Sequence, residues 1–284
     1  MNENERPGRA PRHAGMKRAK GSAQLLPLLL LLPCTAGALR AQDLAEIRKR
    51  GTLRVIAERD SQPERFALQA DAEPGLEKEI LLGFAARDGL KLEIVTVERT
   101  EDRIPALLEG KGDVIVGIVV TDARRKVVEF TSEVLPTRHV VVTRKPDQAI
   151  ENLEQLRSHK VGTLKGSSWA EMVAAAGVPA ANVDDSFLSS EACLEGLRAR
   201  RVSAVVMSVA WAVVARHKDP DLEIGLFVGP PTSAAFALRK DAPQLAAALG
   251  AYVANVRKTD TWSRLVVKYF RESGLEILKR SRPE

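Results

Sequence analysis

The stretch GDVIVGIVVTDARRKVVEF, residues 112–130, decides how the rest of this chain reads, because it compresses a strand, a turn and the start of a helix. Residues 114–116 form a short apolar run of the kind a buried parallel strand shows. Gly117 then frees the backbone, and Thr121 and Asp122 are good N-cap residue types. A short helix is expected to open there with Arg124 in its first turn, beside backbone amides that attract an anion. A hydroxyl, those amides and a guanidinium would converge on one point. This chemistry suits a carboxylate, since arginine offers two parallel charge-assisted bonds to a planar anion. A basic residue after a strand is more often simply solvated, so the remainder of the chain has to decide.

The 284 residues suffice for one large domain or two lobes, and a hydrophobic content of 45% is that of a globular protein. The net charge of +6 would suit a nucleic-acid binder, but it is unevenly spread. Residues 1–41 hold seven Lys or Arg (Arg6, Arg9, Arg12, Lys17, Arg18, Lys20, Arg40) against Glu3 and Glu5, a balance of +5 that leaves +1 for the remainder. The body is close to neutral, which argues against nucleic acid as a partner.

Lys17, Arg18 and Lys20 precede an apolar run at 25–32, and the small residues Ala36, Gly37, Ala38 and Ala41 follow. That is the order of a secretory signal peptide, and the run is too short for a membrane span. Residues 1–41 are therefore expected to direct export to the periplasm, with Met16 as an alternative start and cleavage after Ala38 or Ala41. Pro33 before Cys34 makes a poor lipoprotein processing site. Cys193 is then the one thiol of the mature chain, expected in a helix core. His13, His139, His159 and His217 are scattered, and no cluster has metal-ligand spacing, so neither metal nor cofactor is expected.

Strand and helix signals alternate along the chain, which argues for a parallel α/β sheet. Helices are expected at 43–50, 77–87, 104–108, 153–156, 191–198, 210–215, 243–257 and 262–270, and strands at 52–57, 91–97, 140–143, 160–163, 203–206 and 223–228. Pro63 and Pro74 mark 58–74 as a loop, Gly229, Pro230 and Pro231 interrupt a strand that resumes at 234–238, and 273–284 reads as a polar tail. Ser168 and Glu171 fit a capping box, with Ser168 as N-cap of a helix running to about Ala176.

This order resembles the family 3 extracellular solute-binding proteins, the two-lobed receptors of polar amino acid importers. The carrying stretches are RKRGTLRVIA (48–57), PGLEKEILLGFAARDGLKLEIV (74–95), IPALLEGKGDVIVG (104–117), TDARRKVVEFT (121–131), LEQLRSHKVGTLKGSSWAE (153–171), and the closing AFALRKDAPQL and WSRLVVKYF. The resemblance implies an α/β, two-lobed type II periplasmic binding fold, each lobe a mostly parallel sheet flanked by helices. Lobe 1 would comprise 42–138 and 230–272 and lobe 2 would comprise 139–229, joined by hinge strands near 137–143 and 225–238.

The family's ligand positions transfer one at a time. Its Thr-x-x-Arg element falls on Thr121 and Arg124, where the arginine holds the ligand's α-carboxylate; Val119 replaces a customary hydroxyl. Ser167 and Ser168 match the hydroxyl pair of the second lobe. The aspartate that usually holds the ligand's ammonium group is replaced at Met207 and Ser208. Of the aromatic cluster expected in SQPERF (61–66) only Phe66 is a ring, with Ser61 and Glu64 where others were expected. Glu58, Asp60 and Glu64 are candidate replacement anions, though solvated loop charges are the preferred reading.

The resemblance implies a monomeric periplasmic receptor that captures a small carboxylate-bearing solute, an amino acid or a related organic acid, for the membrane subunits of an ABC importer. Because the ammonium partner is absent, a carboxylate without an α-amino group stays open. An alternative is an accessory protein that binds a periplasmic oxidoreductase, such as a quinone-dependent methanol dehydrogenase. Catalysis, known in dehydratases of this fold, would need a positioned acid or base. Glu171 is the one carboxylate the sequence places near the cleft, and capping accounts for it.

Overall fold

The computed structural model describes residues 43–281. The expected leader, Cys34 and the cleavage positions lie outside the described residues.

The chain alternates as its sequence suggests. Helix α1 (Leu44–Arg50) leads into β1 (Thr52–Glu58), then α2 (Pro63–Phe66), α3 (Leu76–Arg87), β2 (Lys91–Val97), α4 (Arg103–Leu108) and β3 (Val114–Val119). After α5 (Asp122–Arg125) and the short β4 (Glu129–Phe130), β5 (Leu135–Arg144) enters the second half. There α6 (Leu153–Ser158), β6 (Val161–Leu164), α7 (Ser168–Ala175), β7 (Val183–Phe187), α8 (Ser190–Arg198), β8 (Ala204–Ser208) and α9 (Val209–Lys218) follow. Strand β9 (Leu222–Leu238) returns, and α10 (Pro243–Lys258) and α11 (Asp260–Arg280) close the chain.

The strands form one curled sheet in the order β2-β1-β3-β9-β5-β8-β6-β7, with β4 pairing β9. Pairs β1/β2, β1/β3, β6/β7 and β6/β8 are parallel, whereas β5 and β9 run antiparallel to each other and to the strands beside them. The two long antiparallel strands therefore carry the chain between a first lobe (β1 to β3) and a second (β6 to β8).

Alternation along the strands shows how the two lobes are built. Val55, Val116, Val140, Val142, Val205, Met207 and Phe236 point to one face, where a single apolar cluster runs under both lobes with α3, α9, α10 and α11. Their neighbours point to the other face and form two separate clusters. Ile56, Ile115 and Ala237 pack with Leu107 in the first lobe, and Val141, Ala204, Val206 and Val228 pack with Leu156 and Val173 in the second. The gap between those two small cores is where a cleft can open. Cys193 is fully buried on α8, where burial pushes its thiol up to about 12.

Several expectations need correction. The loop expected at 58–74 contains the single-turn helix α2, started by Pro63, whose missing N–H costs nothing at that position. Gly229, Pro230 and Pro231 do not end a strand; β9 runs through them, and its register against β5 slips between the pairs Thr137–Thr232 and His139–Val228, so the extra residues form a bulge. Strand β7, at a sheet edge, was not anticipated, because VDDSF lacks an apolar pattern. Residues 273–280, expected as a polar tail, continue α11 past a break at Arg271, and Leu278 is buried.

Candidate functional site

The cleft lies between the ends of β1 and β3 in the first lobe and the starts of α7, α8 and α9 in the second. Its cavity volume is about 70 Å3, enough for roughly five ordered waters or one small solute.

Arg124 is placed by the turn that the sequence marks. Thr121 caps α5, its hydroxyl accepting from the Arg124 N–H at 3.3 Å, and the guanidinium folds back so that Nη1 donates to the Val119 carbonyl at 2.8 Å. The side chain lines the cleft and is buried, which, with the nearby Arg103, pushes its guanidinium down to about 10. It remains charged at neutral pH. Helix α5 is only four residues long, so the anion-attracting element here is the guanidinium rather than a helix end. Thr121 itself is not among the cleft-lining residues; its role is to hold the turn.

The second lobe corrects the expected cap by one residue. Ser167, not Ser168, is the N-cap of α7: its hydroxyl accepts from the Trp169 N–H at 3.1 Å and the Ala170 N–H at 3.4 Å. Glu171 consequently sits one position too late for a capping box and is exposed. Ser168, released from capping, lies 3.0 Å from Nε2 of His139 on β5. Burial first and the Arg124 charge second hold that imidazole down to about 4, so it is neutral at physiological pH. Ser167, Ser168, Ser208 and Phe66 all line the cleft.

Three charged residues that the sequence reading passed over dominate the floor. Glu77 Oε1 accepts from Arg65 Nε at 2.8 Å and from Arg65 Nη2. Arg103 Nε lies 3.6 Å from Glu58 Oε2, and its Nη1 donates to the Gly117 carbonyl at 3.3 Å. The available signal was a charge inside an apolar element: Glu77 beside Leu76, Arg103 before Ile104, and Arg65 before Phe66.

Glu58 and Asp60 are not solvated loop charges but cleft-lining groups, so Glu171 is not the carboxylate nearest the cleft. Burial raises the Asp60 pKa. Asp60 Oδ2 accepts from the Ser190 N–H of α8 at 2.6 Å, Gln62 Nε2 donates to the Ala210 carbonyl at 3.3 Å, and Glu64 pairs with Lys218 at 3.0 Å, outside the cavity. Where rings were expected, one short loop thus makes three polar contacts from the first lobe to the second, and the lobes are closed. Ser61, another position where a ring was expected, also lines the cleft, as do Trp169 and Trp211, which supply apolar wall from the second lobe. Among the described residues, no group of three or more His, Cys, Asp or Glu is placed to hold a metal ion.

A family model described as bacterial extracellular solute-binding proteins, family 3, matches residues 53–272. The chain belongs to this family. Solved structures agree. Holo ArgBP from T. maritima superposes with a TM-score of 0.69 at 27% identity, covering 80% of this chain and 99% of that one. An ancestral arginine-binding protein bound to glutamine gives 0.68 at 28% identity, covering 78% and 99%.

Curated relatives include the membrane-bound lytic murein transglycosylase F of Stutzerimonas stutzeri, 27% identical over 159 residues, which are 55% of this chain and 32% of that protein. The corresponding protein of Desulfosudis oleivorans is 22% identical over 233 residues, 81% of this chain and 51% of its own length. The chain spans about a third to a half of the length of these two curated relatives. Fold and family together support binding of a small amino-acid-like ligand in the cleft.

Proposed function

We propose that the protein is an exported receptor that closes on a small carboxylate-bearing solute, holds the carboxylate on Arg124, and presents its closed form to the membrane subunits of an ABC importer. One observation carries this reading. Three arginines line the cleft; Arg65 is paired with Glu77 and Arg103 with Glu58, whereas Arg124 forms no ion pair among the described residues. A buried guanidinium held only by a carbonyl has bonding capacity left for an anion, and a carboxylate matches its fork. The arginine-binding structures similar to this chain support an amino-acid-like solute.

The test is a thermal-shift screen of the purified protein against amino acids, keto acids and dicarboxylates, with Arg124→Ala as control. A ligand that binds only the native state raises the melting temperature. A saturable shift that vanishes in Arg124→Ala supports the reading. No shift with any solute, from a well-folded protein, favours a receptor that acts on a protein partner instead, such as a periplasmic oxidoreductase, and co-purification from a periplasmic extract would then identify it. Fractionation of cells expressing the full chain tests export.

A further inference from the structure

Helix α11 divides at Arg271 into two parts with different neighbours. The part before the break is held by the first lobe. Trp262 Nε1 donates to the Val134 carbonyl at 2.7 Å, Lys268 Nζ donates to Glu79 Oε1 on α3 at 2.6 Å, and the Tyr269 hydroxyl donates to the same carboxylate. The part after the break lies on α9, which belongs to the second lobe because it runs between β8 and the start of β9. Gly274 makes the close approach: a Cβ there would stand 3.6 Å from Val213 Cγ1 on α9 and 2.6 Å from Phe270 Cβ, too near for any side chain. Leu278, one turn further along the same face, is 1% exposed, and Leu275 packs against the apolar cluster that holds Val213 and Val214. Ser281 is fully buried, its hydroxyl donating to the Leu278 carbonyl at 2.6 Å.

The joint between the two parts is strained. Arg271 has φ 62° and ψ 176°, a region that only glycine enters readily, and such a conformation persists only where the surrounding packing imposes it. The seating of Gly274 and Leu278 is that packing. The seated residues also lie past 272, where the match to the family model ends. Strands β5 and β9 carry the chain between the lobes, and residues 272–281 add a further link that is made by packing alone. Because the first part of α11 moves with one lobe and α9 with the other, a rotation about the hinge strands must slide Gly274 and Leu278 across α9 or bend the chain at Arg271. A fitted apolar contact loses burial and dispersion energy in either displacement.

We propose that residues 272–281 are a strap that seats on α9 and holds the two lobes closed before any solute enters. The strap acts on the position of the lobes and touches no cleft-lining group, so it stands or falls independently of the carboxylate grip of Arg124.

Small-angle X-ray scattering of the purified, solute-free protein gives the first reading, and the wild-type profile is expected to match the closed structure. Leu278→Asp puts a charge into the seat and should release the strap, raising the radius of gyration. A freed strap over closed lobes would raise it too, so lobe separation is read independently from tryptophan emission. Trp169 lines the cleft from α7, and a Trp211→Phe background leaves it with Trp262, which is buried in the first lobe. In Leu278→Asp the emission should shift to longer wavelength and become more accessible to acrylamide. An open wild-type profile overturns the proposal, as does a folded Leu278→Asp protein whose Trp169 stays shielded. If Leu278→Asp does not fold, Leu278→Ala and a chain ending at Arg271 are read in the same way, and a shielded Trp169 in both overturns the strap.

Discussion

The two strand–turn–helix units that meet across the cleft, β3 to α5 and β6 to α7, share a local plan and differ in what they bring. Each has a glycine in the left-handed region, Gly117 at φ 66° and Gly166 at φ 68°, followed by a hydroxyl cap, Thr121 or Ser167. The first unit ends in a four-residue helix whose product is a buried cation. The second opens an eight-residue helix and contributes neutral hydroxyls, one of them tied to His139. A common turn motif fixes where the chain reverses, but the residue it holds fixes the chemistry. Charge on one wall and neutral polarity on the other let the lobes close without setting two cations against each other.

The sharpest way to break this contrast is to remove the cation. Arg124→Ala should weaken solute binding on the order of a thousandfold, about 4 kcal/mol, as measured by titration. Arg124→Lys should recover little of it, because an ammonium cannot offer the bidentate fork. If Arg124→Ala binds normally, the first unit is no more functional than the second.

The next effect belongs to the second wall. His139 falls to about 4 in the folded protein from an ordinary value of 6.5, so between those pH values the unfolded chain binds more protons. Stability is then fully present above about pH 6.5 and declines as pH falls towards 4, by about 3 kcal/mol if the whole shift is expressed. Denaturant melts at stepped pH should show this slope, and His139→Gln should flatten it.

Smaller effects compare the two glycines. Both substitutions to alanine should destabilise by about 1–2 kcal/mol, since neither left-handed position suits a side chain. Gly166→Ala should also weaken binding, because its Cβ would lie 3.2 Å from Glu101 Cβ of the opposite lobe and press against it in the closed form, whereas Gly117→Ala meets nothing closer than 3.7 Å. Equal binding losses would contradict that asymmetry. Smallest is the cap itself: Ser167→Ala should cost about 1 kcal/mol in a thermal melt.

Much of the fold was legible because its signals are local. The strand at 91–97 and the α1 stop at Gly51 rest on alternation and a left-handed glycine, which need no tertiary information. The capped turn that carries Arg124 was legible for the same reason. The Ser167 cap was not, since two adjacent serines compete for one role and the choice depends on His139, which lies 29 residues earlier on another element. The Arg65–Glu77 and Arg103–Glu58 pairs were hidden because a buried ion pair is written in sequence as two unrelated surface-type residues. Strand β7 was missed because edge position, not hydrophobicity, makes it a strand.

The loop that spans the cleft mouth has a consequence for how such a receptor can be adjusted. Asp60, Gln62 and Glu64 bond to Ser190, Ala210 and Lys218, and Glu64 lies outside the cavity that a solute would occupy. The equilibrium between open and closed forms has contributors independent of the solute, and apparent affinity scales with the closed population before binding. Sensitivity and selectivity are then separate variables: changes at Glu64 or Lys218 reset the concentration at which the receptor responds, while its ranking of solutes stays where the cleft floor puts it.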